Sequence, residues 1–112
     1  LPDQQMLIYF PANSSKVLGK TTIKKLKNVV STLLNQMDLN VLLEGHSSND
    51  GDSDLNLSLS EKRANIVKDF LIEEGIELNR ISVQALGEDE PIYDNNTSQG
   101  RALNRCVLII IR

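Results

Sequence analysis

The chain turns on residues 41–70, VLLEGHSSNDGDSDLNLSLSEKRANIVKDF. They read as an apolar strand, a polar loop and an amphipathic helix. The strand Val41-Leu42-Leu43 stops at Glu44-Gly45, and the loop runs from His46 to about Leu57. Ala64, Ile66, Val67, Phe70 and Leu71 recur at helical spacing, so one face of the helix is apolar. Ser58 followed by Glu61 has capping-box spacing, which places the helix start near Leu59. Gly75 is suited to close it. Arg63 then falls in the first turns, where a cation gains nothing from the helix dipole. A polar loop held between a rigid strand and a rigid helix is a common way to build a small binding site.

Upstream, Met6 to Phe10 reads as a first strand, ended by Pro11, which cannot donate to a sheet ladder. Residues 12–15 form a loop with capping side chains. A helix follows from about Lys16 or Leu18 to Met37, with Gly19 weakening its first turn. Ile23, Leu26, Val30, Leu33, Leu34 and Met37 give it an apolar stripe. Lys16, Lys20, Lys24, Lys25 and Lys27 read as its solvated face. Downstream, a third strand spans Arg80 to Leu86, with Ile81, Val83 and Ala85 on one face. A turn follows at Gly87 to Pro91, then a short helix from Thr97 to Leu103. The last strand, Arg105 to Ile111, is almost wholly apolar, so it is expected to be central and covered on both faces or nearly so. The order β-α-β-α-β-(short α)-β predicts an α/β (α+β) two-layer sandwich, a mixed four-stranded sheet with two main helices on one face.

A length of 112 residues supports one core and one domain, residues 1–112. The chain opens at Leu1 and reads as a piece of a longer protein. With 40% hydrophobic and 24% charged residues, its composition is that of a globular domain. No apolar run approaches the roughly 20 residues of a membrane span. A net charge of −3 argues against a nucleic-acid partner, and two Phe, two Tyr and no Trp leave little for bases to stack on. The single cysteine, Cys106, cannot form an internal disulfide. That fits a reducing compartment or an exported domain without crosslinks, and does not choose between them.

Catalysis is poorly supported. The lone histidine, His46, follows a strand and is read as structural, a ring nitrogen bonded to loop backbone. Ser47, His46 and Asp50 are loop neighbours, and loop neighbours rarely satisfy triad geometry. No Gly-rich phosphate loop opens a helix, and no cofactor is expected. Asp50, Asp52, Asp54 and Glu61 fall at the first, third, fifth and twelfth places of a calcium loop, but the sixth place holds Leu55 where the sharp turn needs Gly. We take this as the coincidence of an acidic loop, with no metal site. Arg63 admits two readings, a solvated or salt-bridged side chain and a fork that grips a carboxylate. Composition alone favours the first.

Taken together, these residues carry a resemblance. Gly45-His46, Gly51, Asn56, Leu59-Ser60, Arg63-Ala64 and Val67 resemble the pattern of the OmpA/MotB/Pal-type peptidoglycan-binding domain. The likeness continues through Gly75-Ile76, Arg80-Ile81, Gly87, Pro91, Asn95 or Asn96, Thr97, Gly100-Arg101 and Asn104-Arg105, and upstream to Tyr9-Phe10 and Asn13. It covers nearly the whole chain. The resemblance implies a non-catalytic, periplasmic module that binds the peptidoglycan stem peptide at diaminopimelate. Such a module tethers an outer-membrane or envelope protein to the wall, without inserting into the membrane itself. Diaminopimelate carries an ammonium and a carboxylate on one carbon at its free end. In the family an Asp takes the ammonium and the Arg matched by Arg63 takes the carboxylate. Asn13, Asn56 and the polar residues around Arg105 match positions of the same pocket. The chain departs from the family at Ser47-Ser48, which stand where the family has Thr-Asp, so the acid is missing from its place. Asp50 or Asp52 is the candidate to replace it. Cys106 stands where the family repeats Arg and reads as strand packing. The alternative is the same fold kept as a scaffold or protein-interaction module, its wall binding weakened through Ser48.

Overall fold

The computed structural model describes residues 4–12, 14–15 and 19–112. Four strands, β1 (Gln4–Tyr9), β2 (Val41–His46), β3 (Ile81–Gly87) and β4 (Cys106–Ile111), form one sheet in the order β1-β4-β2-β3. The sheet is mixed: β4 runs antiparallel to both β1 and β2, and β2 runs parallel to β3. Three helices, α1 (Lys20–Asn35), α2 (Ser53–Glu73) and α3 (Ser98–Asn104), connect them.

The pleat sorts the side chains. Ile8, Val41, Leu43, Ile81, Val107, Ile109 and Ile111 alternate onto one face. There they bury Leu26, Val29, Val30 and Leu33 of α1 and Ala64, Val67 and Leu71 of α2. The apolar strand β4 is central, as its composition predicts. Its second face is less covered than expected: Ile110 is buried, but Leu108 is only half-buried. Gly45 has a steric role, since a Cβ there would strike the Ser60 carbonyl of α2. Gly75, at φ 99°, ends α2 in the left-handed conformation that favours glycine.

Several boundaries differ from the sequence reading. Helix α1 begins at Lys20 with Gly19 as its extended N-cap. The earlier starting points at Lys16 and Leu18 lie outside the described residues. It stops at Asn35, so Met37 falls beyond it and is exposed; Leu34 is also exposed, and Val29 takes the core place instead. The apolar stripe is therefore narrower than the periodicity suggested. Helix α2 begins at Ser53, well ahead of Leu59. Asp52 is its N-cap, accepting a 2.8 Å hydrogen bond from the Asp54 amide through Oδ1. The Ser58–Glu61 spacing is therefore interior to the helix and caps nothing.

Candidate functional site

The early start of α2 reshapes the loop around it. Only residues 47–52 separate β2 from α2, and the Gly45/His46 step carries a register shift against β3 that turns the chain out of the sheet. Asp54 and Glu61 lie on α2 and Asp52 caps it, so the acids at calcium-loop spacing do not share one loop. Arg63 lies in the middle of α2 rather than in its first turns, and the dipole argument does not apply to it.

The helix points Arg63 inward. Its side chain is 0% exposed, which excludes the solvated reading. Nε donates to the Ser14 carbonyl at 2.9 Å, Nη2 to the Pro11 carbonyl at 3.0 Å and Nη1 to the His46 carbonyl at 3.3 Å. The guanidinium lies 5.6 Å from the Phe10 ring centroid. Three of its five N–H donors are thus engaged by neutral carbonyls. Among the described residues no carboxylate forms an ion pair with it. Burial pulls its pKa down to about 10, with repulsion from Arg105 adding to the shift and the Cys106 thiol opposing it. Arg63 therefore stays cationic at neutral pH and lacks a counterion among the described residues.

Arg63 lines a cavity of about 60 Å³ together with Ala12, Ser47, Ser48, Asp50, Asn56, Leu59 and Arg105. Six of the seven residues singled out from the sequence thus meet at one place; the seventh, Asn13, lies outside the described residues. Asp50 stands in the cavity wall where the sequence reading wanted a replacement acid. Its Oδ2 accepts from Ser48 Oγ and from Arg105 Nη2, both at 3.1 Å, and Oδ1 lies 3.4 Å from Arg101 Nε. The Arg105 hydrogen bond, then the Ser48 one, hold its carboxyl below the ordinary 3.8. The other candidate acid, Asp52, is spent on capping α2. Asn56 is turned toward β3, its Nδ2 donating to Glu88 Oε1 at 3.2 Å. Ser47 is 2% exposed, and its Oγ has no hydrogen-bond partner among the described residues.

His46 departs from expectation. Its ring is buried, but neither ring nitrogen makes a hydrogen bond among the described residues; Nε2 lies 3.4 Å from Glu44 Oε1. Its contribution to the site is the backbone carbonyl that Arg63 meets. Cys106 is fully buried and its thiol is pushed up to about 12 by desolvation, which suits strand packing and leaves it unreactive.

Arg101 was not among the site candidates. The available signal was its spacing of four residues from Arg105, which brings both cations to Asp50. Asn104, fully buried between them, fixes the approach. Its Oδ1 accepts from the Ile92 and Tyr93 amides, and its Nδ2 donates to the Tyr93 carbonyl and to Asn95 Oδ1. A larger hollow of about 220 Å³ lies between β1 and α1, lined by Gln4, Gln5, Met6, Asn28, Val29, Thr32 and Ile111. It presents no charged group, so the recognition chemistry is concentrated in the smaller cavity.

Known proteins place this geometry in context. Outer membrane porin F of Pseudomonas aeruginosa is 36% identical over 104 residues, which are 92% of this chain and 29% of that protein. Peptidoglycan-binding protein ArfA of Mycobacterium bovis is 39% identical over 74 residues, 66% of this chain and 23% of that protein. The chain thus spans under a third of either relative's length. The fold matches the crystal structure of the peptidoglycan-associated lipoprotein from Burkholderia pseudomallei with a TM-score of 0.89, at 24% identity, covering 95% of this chain and 89% of that one. The OmpA family model matches residues 9–105, and the chain belongs to the OmpA family.

Proposed function

We propose that this domain is a non-catalytic wall-binding module that holds the peptidoglycan stem peptide at diaminopimelate. In this reading Arg63 grips the carboxylate at the free end of diaminopimelate with its two unused N–H donors, and Asp50 accepts the ammonium in place of the acid missing at Ser48. Ser48 orients Asp50, and Ser47 and Asn56 complete the wall. The observation that carries the reading is a fully buried guanidinium with no counterion among the described residues, lining the same cavity as the Asp50 carboxylate. Burying a charge is costly unless something pairs with it, and a ligand carboxylate would supply the pair. A volume of about 60 Å³ suits a charged head group, with the rest of the peptide lying outside. The relative named as a peptidoglycan-binding protein agrees in kind. Bound in this way, the domain would tether a periplasmic, outer-membrane-associated protein to the wall through parts outside this chain. No helix among the described residues is long and apolar enough to cross a membrane.

The rival reading is a scaffold without wall binding. It draws on the fact that Asp50 is already paired with two arginines and Arg63 with three carbonyls. Calorimetric or NMR titration with a diaminopimelate-containing stem peptide separates the two. Saturable binding that disappears in Arg63→Ala is the expected result. No binding at millimolar peptide would leave the scaffold reading standing.

A further inference from the structure

The charges around the cavity do not balance. Among the described residues, two guanidiniums, Arg63 and Arg105, line it with one carboxylate, Asp50, and a third guanidinium, Arg101, pairs with that carboxylate from outside the lining. Repulsion from Arg105 is already felt at Arg63. Both Asp50 oxygens have partners, whereas among the described residues Arg63 keeps two unused N–H donors and the buried Ser47 Oγ has no partner. The unmet capacity at Arg63 is therefore for negative charge and for hydrogen-bond acceptors, while the Ser47 hydroxyl can either donate or accept. Its capacity for an ammonium is small, because Asp50 would have to share a carboxylate that Arg101 and Arg105 already hold.

We infer that the cavity selects its ligand by a free, non-amidated carboxylate, and that the ammonium is the lesser determinant. The inference rests on the reading that the stem peptide binds here. Its physical basis is a donor conflict. A carboxylate presents only acceptors to Arg63, whose guanidinium can only donate. A primary amide in its place brings no charge and turns an NH2 group toward the Arg63 donors. One buried N–H is then left facing another, the kind of mismatch that polar sites reject most strongly. An ammonium lost from the ligand leaves Asp50 with its present arginine partners intact, so that loss is tolerated better.

The test changes the ligand first and the protein second, so that it does not depend on a buried arginine variant folding. The domain is titrated by calorimetry with three stem peptides. The first carries diaminopimelate with a free carboxylate and a free amine at its distal centre, the second has that carboxylate amidated, and the third has the amine acetylated. We expect the amidated peptide to bind at least ten-fold more weakly than the first, and the acetylated peptide to lose less. Arg105→Gln, at a half-buried position, should narrow the gap between acid and amide. Equal affinity for acid and amide would overturn the inference and leave the wall-binding proposal intact. So would a larger loss on acetylation than on amidation. Binding of none of the three would overturn both.

Discussion

Two arginines are buried in this small domain, and they are buried for different reasons. Arg80 closes the end of α1. Its Nη2 donates to the carbonyls of Leu33, Gln36 and Leu39 at 2.8, 3.0 and 2.7 Å, and Nε reaches Leu39 again at 3.1 Å. Those carbonyls belong to the last turn of a helix and the residues just after it, where acceptors lack intrahelical partners and the dipole is negative; only Gln36 has a backbone donor as well, the Leu39 amide. The cation completes a structure that needs one. Arg63 meets carbonyls from a loop and a strand end, has Arg105 as a repelling neighbour and opens onto a cavity. One buried arginine turns its donors to the end of a helix, and the other keeps two donors unused among the described residues while lining a cavity. Surplus capacity in a buried charged group marks a site more reliably than burial does.

That contrast is open to breakage. The largest expected effect is on Arg80→Ala. It leaves the Leu33 and Leu39 carbonyls without this partner, while the Gln36 carbonyl keeps the Leu39 amide, and stability should fall on the order of 3 kcal/mol by chemical denaturation. Peptide affinity of the remaining folded protein should not change. Arg63→Lys comes next. A single ammonium cannot reach three carbonyls and a ligand carboxylate together, so the melting temperature should drop by several degrees and stem-peptide affinity at least ten-fold. If Arg80→Ala weakened binding as much as Arg63→Lys does, the division into a structural and a ligand-facing arginine would be wrong.

Much of this architecture was legible in the sequence, because the signals were local and strong. The apolar run of residues 107–111 announced a central strand, and Gly75 the end of α2. The start of α2 was misread because two capping signals compete within six residues. Ser58–Glu61 matches a pattern, but Asp52 caps, and nothing local says that the polar residues 53–58 will be helical. They carry little apolar periodicity because that end of the helix borders the cavity and solvent rather than the core. The site's membership was largely legible through Arg63, Asp50 and Arg105. Its wiring was not. The carbonyls that hold Arg63 come from residues 49 and 52 positions away, and backbone acceptors have no sequence signature. The role of Arg101 likewise depends on the docking of α3 through Asn104, a contact between segments.

Asp50 provides a milder test of the same contrast. It is exposed, so Asp50→Asn should leave the melting curve nearly unchanged while weakening a zwitterionic peptide several-fold, less than Arg63→Lys does. Its pKa is lowered by Arg105 and Ser48, so the charge is present at and above the ordinary value of 3.8 and is lost only as pH falls through a still lower one. The Asp50 contribution to binding should therefore be flat from neutral pH down to pH 4, as a pH series comparing wild type with Asp50→Asn would show. A midpoint above 4 would mean that the arginines do not hold the carboxylate in solution.

The smallest expected effect belongs to Ser48, and it is the most informative about how this chain departs from its family. Ser48 is buried and its hydroxyl spends its one hydrogen on Asp50. Ser48→Ala should remove a single orienting bond and weaken binding only two- to five-fold, in keeping with about 1 kcal/mol or less for one hydrogen bond. Ser48→Asp asks the opposite question. A second carboxylate beside Asp50 would compete for Arg105, and the two acids would repel. If Asp50 is the working acid, Ser48→Asp alone should gain little, whereas Ser48→Asp combined with Asp50→Asn should recover most of the affinity that Asp50→Asn loses. A large gain from Ser48→Asp alone would mean that Asp50 is only a surface partner of Arg101 and Arg105, and that the ammonium place in the wild-type cavity is empty.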